Sequence, residues 1–241
     1  MAVQRINSGI SGFDKLVEGG FPKGSVSLIS GTPGTGKSIF CSQIAYFNAL
    51  QGKKVLYVDF EETEEDIKQQ MELFGWDLKK AGKNLEVYSD HVDDVNLVVQ
   101  LQNKITKTNW DIVVIDSLAS LLSMPAVANK QYSLNEILDS VIPISIDVES
   151  IGRMRVKSVI NLLKKSGATC FVTSESIEGL PGYSRDTISE FLCDAVIVMH
   201  HVEGEEGFRT LHILKMRCTK QRMGIYSFNI ADNGINIKSD E

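Results

Sequence analysis

The sequence predicts an α/β fold in which a mostly parallel central sheet is flanked by helices and extended by antiparallel strands at the C-terminal end. Three observations carry this reading. After about residue 25, short apolar runs alternate with segments of helical period, as in chained βαβ units. The run D-I-V-V-I-D at 111–116 is apolar without interruption, as a strand buried on both faces should be. Past residue 208 the style changes to strand-like runs with a D-N-G turn at 232–234. With no legible linker or repeat, the 241 residues are expected to form one domain.

The elements follow in order. S-V-S-L-I-S (25–30) is a short strand. Residues 37–50 read as a helix, with Phe40, Ile44 and Phe47 on one stripe and Gly52 as the stop. K-V-L-Y-V-D-F (54–60) is a strand. Thr63 then resembles an N-cap with Asp66 three residues on, and Ile67, Met71 and Phe74 form the apolar stripe up to Gly75. A strand at 85–88 and a helix at 95–106 precede the central strand. The 153–165 helix carries Val156, Val159, Ile160 and Leu163 on one face and Arg155, Lys157, Lys164 and Lys165 on the rest, with Gly167 at C′. Strands follow at 168–173, 195–199, 208–216, 225–230 and 235–237. Within 123–152, Leu134, Ile137, Leu138, Val141 and Ile142 suggest a helix stopped by Pro143, and a segment this long between core elements is often functional.

Composition excludes some classes. An apolar fraction of 43% suffices for a core, and 23% charged residues is ordinary for a soluble chain. No apolar run reaches the ~18 to 20 residues a membrane helix needs, and the N-terminus has no apolar signal core, so no membrane role is expected and a cytoplasmic location is. A net charge of −6 argues against indiscriminate nucleic-acid coating while allowing a local basic channel. Cys41, Cys170, Cys193 and Cys218 form no C-x-x-C pair and read as free, mostly buried thiols. His200-His201 has no partner ligand nearby in sequence and reads as a strand end.

Three motifs carry chemistry. G-T-P-G-T-G-K-S (Gly31, Thr32, Pro33, Gly34, Thr35, Gly36, Lys37, Ser38) fits G-x-x-x-x-G-K-[ST], with a strand before it and a helix after. Such a loop turns successive N–H groups toward phosphate oxygens, the helix adds its dipole, Lys37 a charge for the β- and γ-phosphates, and Ser38 a hydroxyl for Mg²⁺. ATP and Mg²⁺ are therefore the expected cofactors. Asp116 ends a central strand, where its carboxylate can reach the metal shell. Glu61 and Glu62 follow the strand before it, at the edge where open α/β sheets bind ligands, and read as a catalytic pair able to orient or deprotonate water.

With these placed, the chain resembles the single-domain KaiC-like ATPases of the RecA superfamily, of the archaeal RecA/RadA paralogue type. The likeness runs from R-I-N-S-G-I-S-G-F-D-K-L-V-E-G-G-F-P-K-G (5–24) through F-E-E-T-E-E-D-I, F-G-W-D-L (74–78), D-S-L (116–118) and E-F-L-C-D-A-V-I-V (190–198) to L-K-M-R (214–217). It implies a RecA-like core and a homo-oligomeric ring or filament, a hexamer by preference, with ATP between subunits. It assigns Glu61 to water activation with Glu62 as companion, and Lys215 and Arg217 to a K-x-R finger reaching a neighbour's ATP. Departures exist: Cys218 replaces the glycine usual after K-M-R, Gln221 stands where histidine is common, and Glu190-Phe191 falls near the family's Ser-Thr phosphoacceptor pair.

Two function classes follow. One is a slow ATPase acting as an ATP-dependent DNA-binding accessory in recombination or repair, its basic helix and the 123–152 segment lining a channel for single-stranded DNA. The other is a nucleotide-switched signalling or scaffold ATPase of KaiC type that binds protein partners.

Overall fold

The computed structural model describes residues 2–89, 97–123, 148–176, 179, 182–202 and 209–238. The suggested helix before Pro143 lies outside them.

A lead-in ribbon, β1 (Arg5–Ile6) paired antiparallel with β2 (Phe21–Pro22), precedes the main sheet. The chain then runs β3 (Val26–Gly31), α1 (Lys37–Leu50), β4 (Val55–Asp59), α2 (Glu64–Leu73), α3 (Leu78–Ala81), β5 (Leu85–Ser89), α4 (Leu97–Lys107), β6 (Ile112–Asp116) and α5 (Ser120–Ser123). It continues with α6 (Val148–Ser166), β7 (Thr169–Glu175), α7 (Ser189–Leu192), β8 (Ala195–His201), β9 (Arg209–Met216), β10 (Ile225–Ala231) and β11 (Gly234–Ile237). Nine strands form one sheet in the order β11-β10-β9-β8-β3-β7-β6-β4-β5. From β8 to β5 all neighbours are parallel, and from β8 to β11 all are antiparallel.

Strand alternation explains the two cores. In β6, Ile112 and Val114 face the α1 layer while Val113 and Ile115 face the α4–α6 layer, and all four are fully buried. The uninterrupted apolar run thus serves both faces, as its sequence predicts. On the α1 side Phe13 stacks on Phe21 and meets Phe40 edge-on, and Phe21 meets Phe171 of β7, so rings pin the lead-in to the sheet. Gln43 of α1 reaches across to both main-chain groups of Ile235, fastening the helix to the last strand. The cap of α2 forms as its sequence suggests: Thr63 Oγ1 accepts the Asp66 N–H at 3.2 Å.

β9 ends at Met216, where the sequence places the end of that strand, and Arg217 lies in the turn beyond it. A bulge opposite Val196/Ile197 also shifts register, pairing Ile197 with Ile213 but Val196 with Lys215. That extra residue moves Lys215 off the face shared by Leu211 and Ile213 and turns it toward α6 and α7. Of the cysteines, Cys41, Cys170 and Cys193 are buried and Cys218 is exposed. No described helix is long and apolar enough to cross a membrane.

The turn after Arg217 explains one departure from the family pattern. Cys218 has φ of 57°, in the left-handed region where a Cβ is costly, so glycine suits the position. The turn is held by Arg5, whose guanidinium donates to the Cys218 carbonyl, Thr219 Oγ1 and Glu18. Cys218→Gly is expected to stabilise the fold by about 0.5–1 kcal/mol, a rise of roughly 1–4 °C in Tm, whereas Cys218→Val should lower it. Thermal denaturation followed by circular dichroism checks both.

Candidate functional site

The parallel register assembles the site. Gly31, the last residue of β3, pairs with Glu175 on β7 and Met199 on β8, and β4 pairs Asp59 with Asp116 of β6. The carboxyl ends of five adjacent strands therefore form one edge, and the P-loop rises from the middle of it. The loop requires glycine where it starts: a Cβ on Gly31 would stand 2.3 Å from the Met199 carbonyl oxygen. Gly36, with φ of 102°, precedes α1 and leaves the helix N-terminus open over the loop.

Lys37 Nζ donates to the Thr32 carbonyl at 3.0 Å, folding across the loop mouth. Burial lowers the pKa of this ammonium, and the carboxylates of Asp116, Glu175 and Glu61 oppose that fall. Ser38 is exposed at the start of α1 and lines a cleft with Tyr57, Asp59, Glu62 and Met71.

Asp116 is buried and held from both sides. Tyr57 Oη donates to its Oδ2 at 2.8 Å, and Thr173 Oγ1 donates to its Oδ1. Asp59 lies beside it, its Oδ1 accepting the Glu61 and Glu62 N–H groups at 2.7 and 2.8 Å. That pair of bonds sets the start of the double-glutamate turn. The two glutamates then diverge. Glu61 Oε1 accepts hydrogen bonds from Ser120 at 2.7 Å and Ser117 at 3.2 Å, which turns it toward the β6 end. Glu62 is held by Gln70 at 2.6 Å, away from that cluster.

Lys37, Ser38, Asp116 and Glu61 thus share one edge, and Lys215 and Arg217 do not. Lys215 Nζ donates to the Glu190 carbonyl at 2.9 Å, and Arg217 pairs with Asp194 at 3.0 Å. Asp194 exchanges main-chain and side-chain bonds with Val26, the first residue of β3. The basic pair therefore sits at the opposite end of the strand that carries the P-loop, roughly 16 Å away at ~3.3 Å per residue.

Several site residues escaped sequence reading. Asp59 ends V-L-Y-V-D just as Asp116 ends I-V-V-I-D, and that parallel could have found it. Thr173 and Glu175 close an apolar strand next to the P-loop strand, a weaker signal. Ser117 and Ser120 became visible only through their contact with Glu61. Among the described residues, no group of three or more His, Cys, Asp or Glu side chains could hold a metal by itself. One hydroxyl and one or two carboxylates suit Mg²⁺, which keeps several waters and takes its other ligands from phosphates.

Comparison with known proteins fits this geometry. The family model "ATPase: KaiC" matches residues 6–134 and 124–241. The chain belongs to the KaiC ATPase family. The circadian clock oscillator protein KaiC of Synechococcus elongatus is 34% identical over 241 residues, covering 98% of this chain and 44% of that protein. The KaiC of Acaryochloris marina is likewise 34% identical, over 240 residues. The chain thus spans under half the length of these curated KaiC relatives. The crystal structure of the KaiC-like protein PH0186 from Pyrococcus horikoshii matches with a TM-score of 0.81 at 31% identity, covering 98% of this chain and all of that one. The fold is that of a KaiC-like member of the RecA superfamily.

Burial and the neighbouring Asp116 raise the Asp59 pKa from 3.8 to about 7. A raised carboxyl pKa favours the folded state fully below the unfolded value and progressively less as pH rises toward 7. Asp59→Asn, which keeps the acceptor oxygen, is therefore expected to stabilise the metal-free protein, with an advantage over Asp59 that widens from pH 4 to 7 and then levels. Denaturant melts across that range check the trend.

Proposed function

We propose that the chain is a nucleotide-switched KaiC-type ATPase that hydrolyses ATP with Mg²⁺ at a site completed by a second copy of itself. The observation that carries this reading is the separation of charges. Nucleotide-facing groups converge on one sheet edge, while Lys215 and Arg217 lie at the far end of β3, out of reach of their own P-loop. The relatives' names favour a KaiC-type switch over a DNA-handling accessory. In addition, Lys164, one of the four cations assigned to a channel face, is committed to the Leu192 carbonyl and lies 3.7 Å from Asp194.

Each residue has a part in this proposal. Residues 31–36 supply main-chain N–H groups to the phosphates, and Lys37 moves from the Thr32 carbonyl to the β- and γ-phosphates. Ser38 and Asp116 would hold Mg²⁺, which when bound would offset charge on the phosphates. Glu61, steadied by Ser117 and Ser120, orients the attacking water and accepts its proton. Glu62, tied to Gln70, keeps the acidic turn in place rather than reaching the water. Lys215 and Arg217, set on a ledge formed by Glu190 and Asp194, stabilise charge on the neighbour's γ-phosphate. A ring, with six copies as the preferred size, brings each pair to the next site.

Lys37→Ala should abolish tight ATP binding, measured by calorimetry. Glu61→Gln should leave ATP affinity within about threefold and slow turnover by roughly 10²–10⁴. Arg217→Ala should slow turnover by up to roughly 10³. Mixing inactive Glu61→Gln and Arg217→Ala chains should recover activity at interfaces that pair an intact Glu61 with an intact Arg217. Mixtures no more active than their parts would refute the shared site. Stimulation of turnover by single-stranded DNA, lost with added salt, would restore the DNA-handling class.

A further inference from the structure

One segment is fastened to the P-loop strand near both of its ends. Toward the carboxyl end of β3, Ser30 Oγ donates to the Tyr183 carbonyl. At the amino end, Asp194 donates its N–H to the Val26 carbonyl at 2.7 Å and accepts the Val26 N–H on Oδ2 at 3.1 Å. Between these points the Arg185 N–H donates to Ser174 Oγ of β7 at 3.3 Å. Residues 182–194 therefore run back along β3, from the level of the P-loop to the level of Lys215 and Arg217.

The segment is also braced from within. Ser184 Oγ donates to Glu190 Oε2, and the Tyr183 N–H donates to Glu190 Oε1 at 3.3 Å. Gly182, with φ of 116°, passes so close that a Cβ there would stand 3.1 Å from Glu190 Oε1. Asp186 fixes the turn into α7, its Oδ1 accepting the Ile188 and Ser189 N–H groups at 2.9 and 2.7 Å. Ser184, Asp186 and Ser189 are all buried. The two ends of Glu190 thus have different partners. Its carboxylate is held by the loop that precedes it, and its carbonyl accepts from Lys215 Nζ at 2.9 Å. A carboxylate bond to a hydroxyl is short and directional, so it limits how the backbone of Glu190 can move.

We propose that Ser184 and Glu190 are positioning residues for the K-x-R finger: by fixing the Glu190 carbonyl, their contact sets the direction in which Lys215 is presented to the nucleotide of the neighbouring copy. The inference rests on the shared-site reading and adds residues that act one step behind the finger. Ser184 is 5% exposed and offers a neighbour almost no surface, so an effect of Ser184 on another chain's site passes through Glu190 and Lys215. Its loss damages turnover in the next subunit. The P-loop of its own chain still binds nucleotide and, given an intact finger from the neighbour, still hydrolyses it.

The test sorts variants by the partner that rescues them. Ser184→Ala should bind ATP with Mg²⁺ within about twofold of the wild type and slow turnover by roughly 10- to 100-fold, the cost of a misplaced reacting group. Mixed with Glu61→Gln, which carries an intact finger, it should exceed the average turnover of the two parents. Mixed with Arg217→Ala, whose finger is also faulty, it should gain nothing. In a Lys215→Ala background Ser184→Ala should add little further loss, because both changes act through one ammonium. Ser184→Thr, which keeps the hydroxyl, should recover part of the rate. Full turnover in Ser184→Ala, rescue by Arg217→Ala, or a loss that multiplies with that of Lys215→Ala would each overturn the inference. So would absence of rescue by Glu61→Gln where Arg217→Ala and Glu61→Gln do rescue each other, and that result would spare the shared site. Failure of this reference pair would remove both readings. If Ser184→Ala melts early, Glu190→Ala carries the same mixing test, since Ser184 keeps Asp186 Oδ1 as an acceptor at 3.3 Å.

Discussion

The register of the parallel strands is the constraint on which the site depends. β3, β7, β6 and β4 are locked side by side by main-chain bonds, so their carboxyl ends stop at the same level. Gly31, Glu175, Asp116 and Asp59 are the residues that reach that level. A slip of one residue in β4 or β6 would turn Asp59 or Asp116 from its present face to the other and break the contacts to Tyr57 and Thr173. Close packing against helices on both faces opposes such a slip, because two cores would have to repack at once.

The same sheet separates the basic pair from its own loop. β9 runs antiparallel to β8, which carries L-K-M-R back to the strand end where β3 begins. The bulge near Lys215 then turns that side chain toward α7, and Asp194 holds Arg217 while also anchoring Val26. Burial, followed by the nearby Arg217 charge, lowers the Lys215 pKa. A cation kept partly desolvated and hydrogen-bonded to a carbonyl is presented in a fixed direction. That arrangement suits contact with another molecule better than a freely solvated edge would.

Much of this was legible in the sequence. The P-loop is a local motif whose chemistry needs few long-range contacts, and the Asp116 strand announces its burial by composition alone. The α2 cap, the D-N-G hairpin and the antiparallel tail were equally readable because each is decided within a few residues. What sequence could not supply was neighbourhood. Ser120 meets Glu61 across fifty-nine positions, and Thr173 meets Asp116 across fifty-seven. The divergence of Glu61 and Glu62 arises from tertiary partners, not from any difference between two adjacent glutamates. The bulge in β9 falls at Leu214, where the sequence I-L-K carries no glycine or other mark of an extra residue. His201 looked like a frayed strand end until its register placed it beside Gly34.

The central claim is that one chain holds the loop and its neighbour holds the finger. The most direct measurement is ATP turnover per chain as a function of protein concentration, with oligomer mass recorded in the same samples. A site shared between copies predicts that turnover per chain falls with dilution in step with loss of the assembly. Full turnover per chain in samples shown to be monomeric would contradict the account and leave Lys215 and Arg217 as ordinary surface charges.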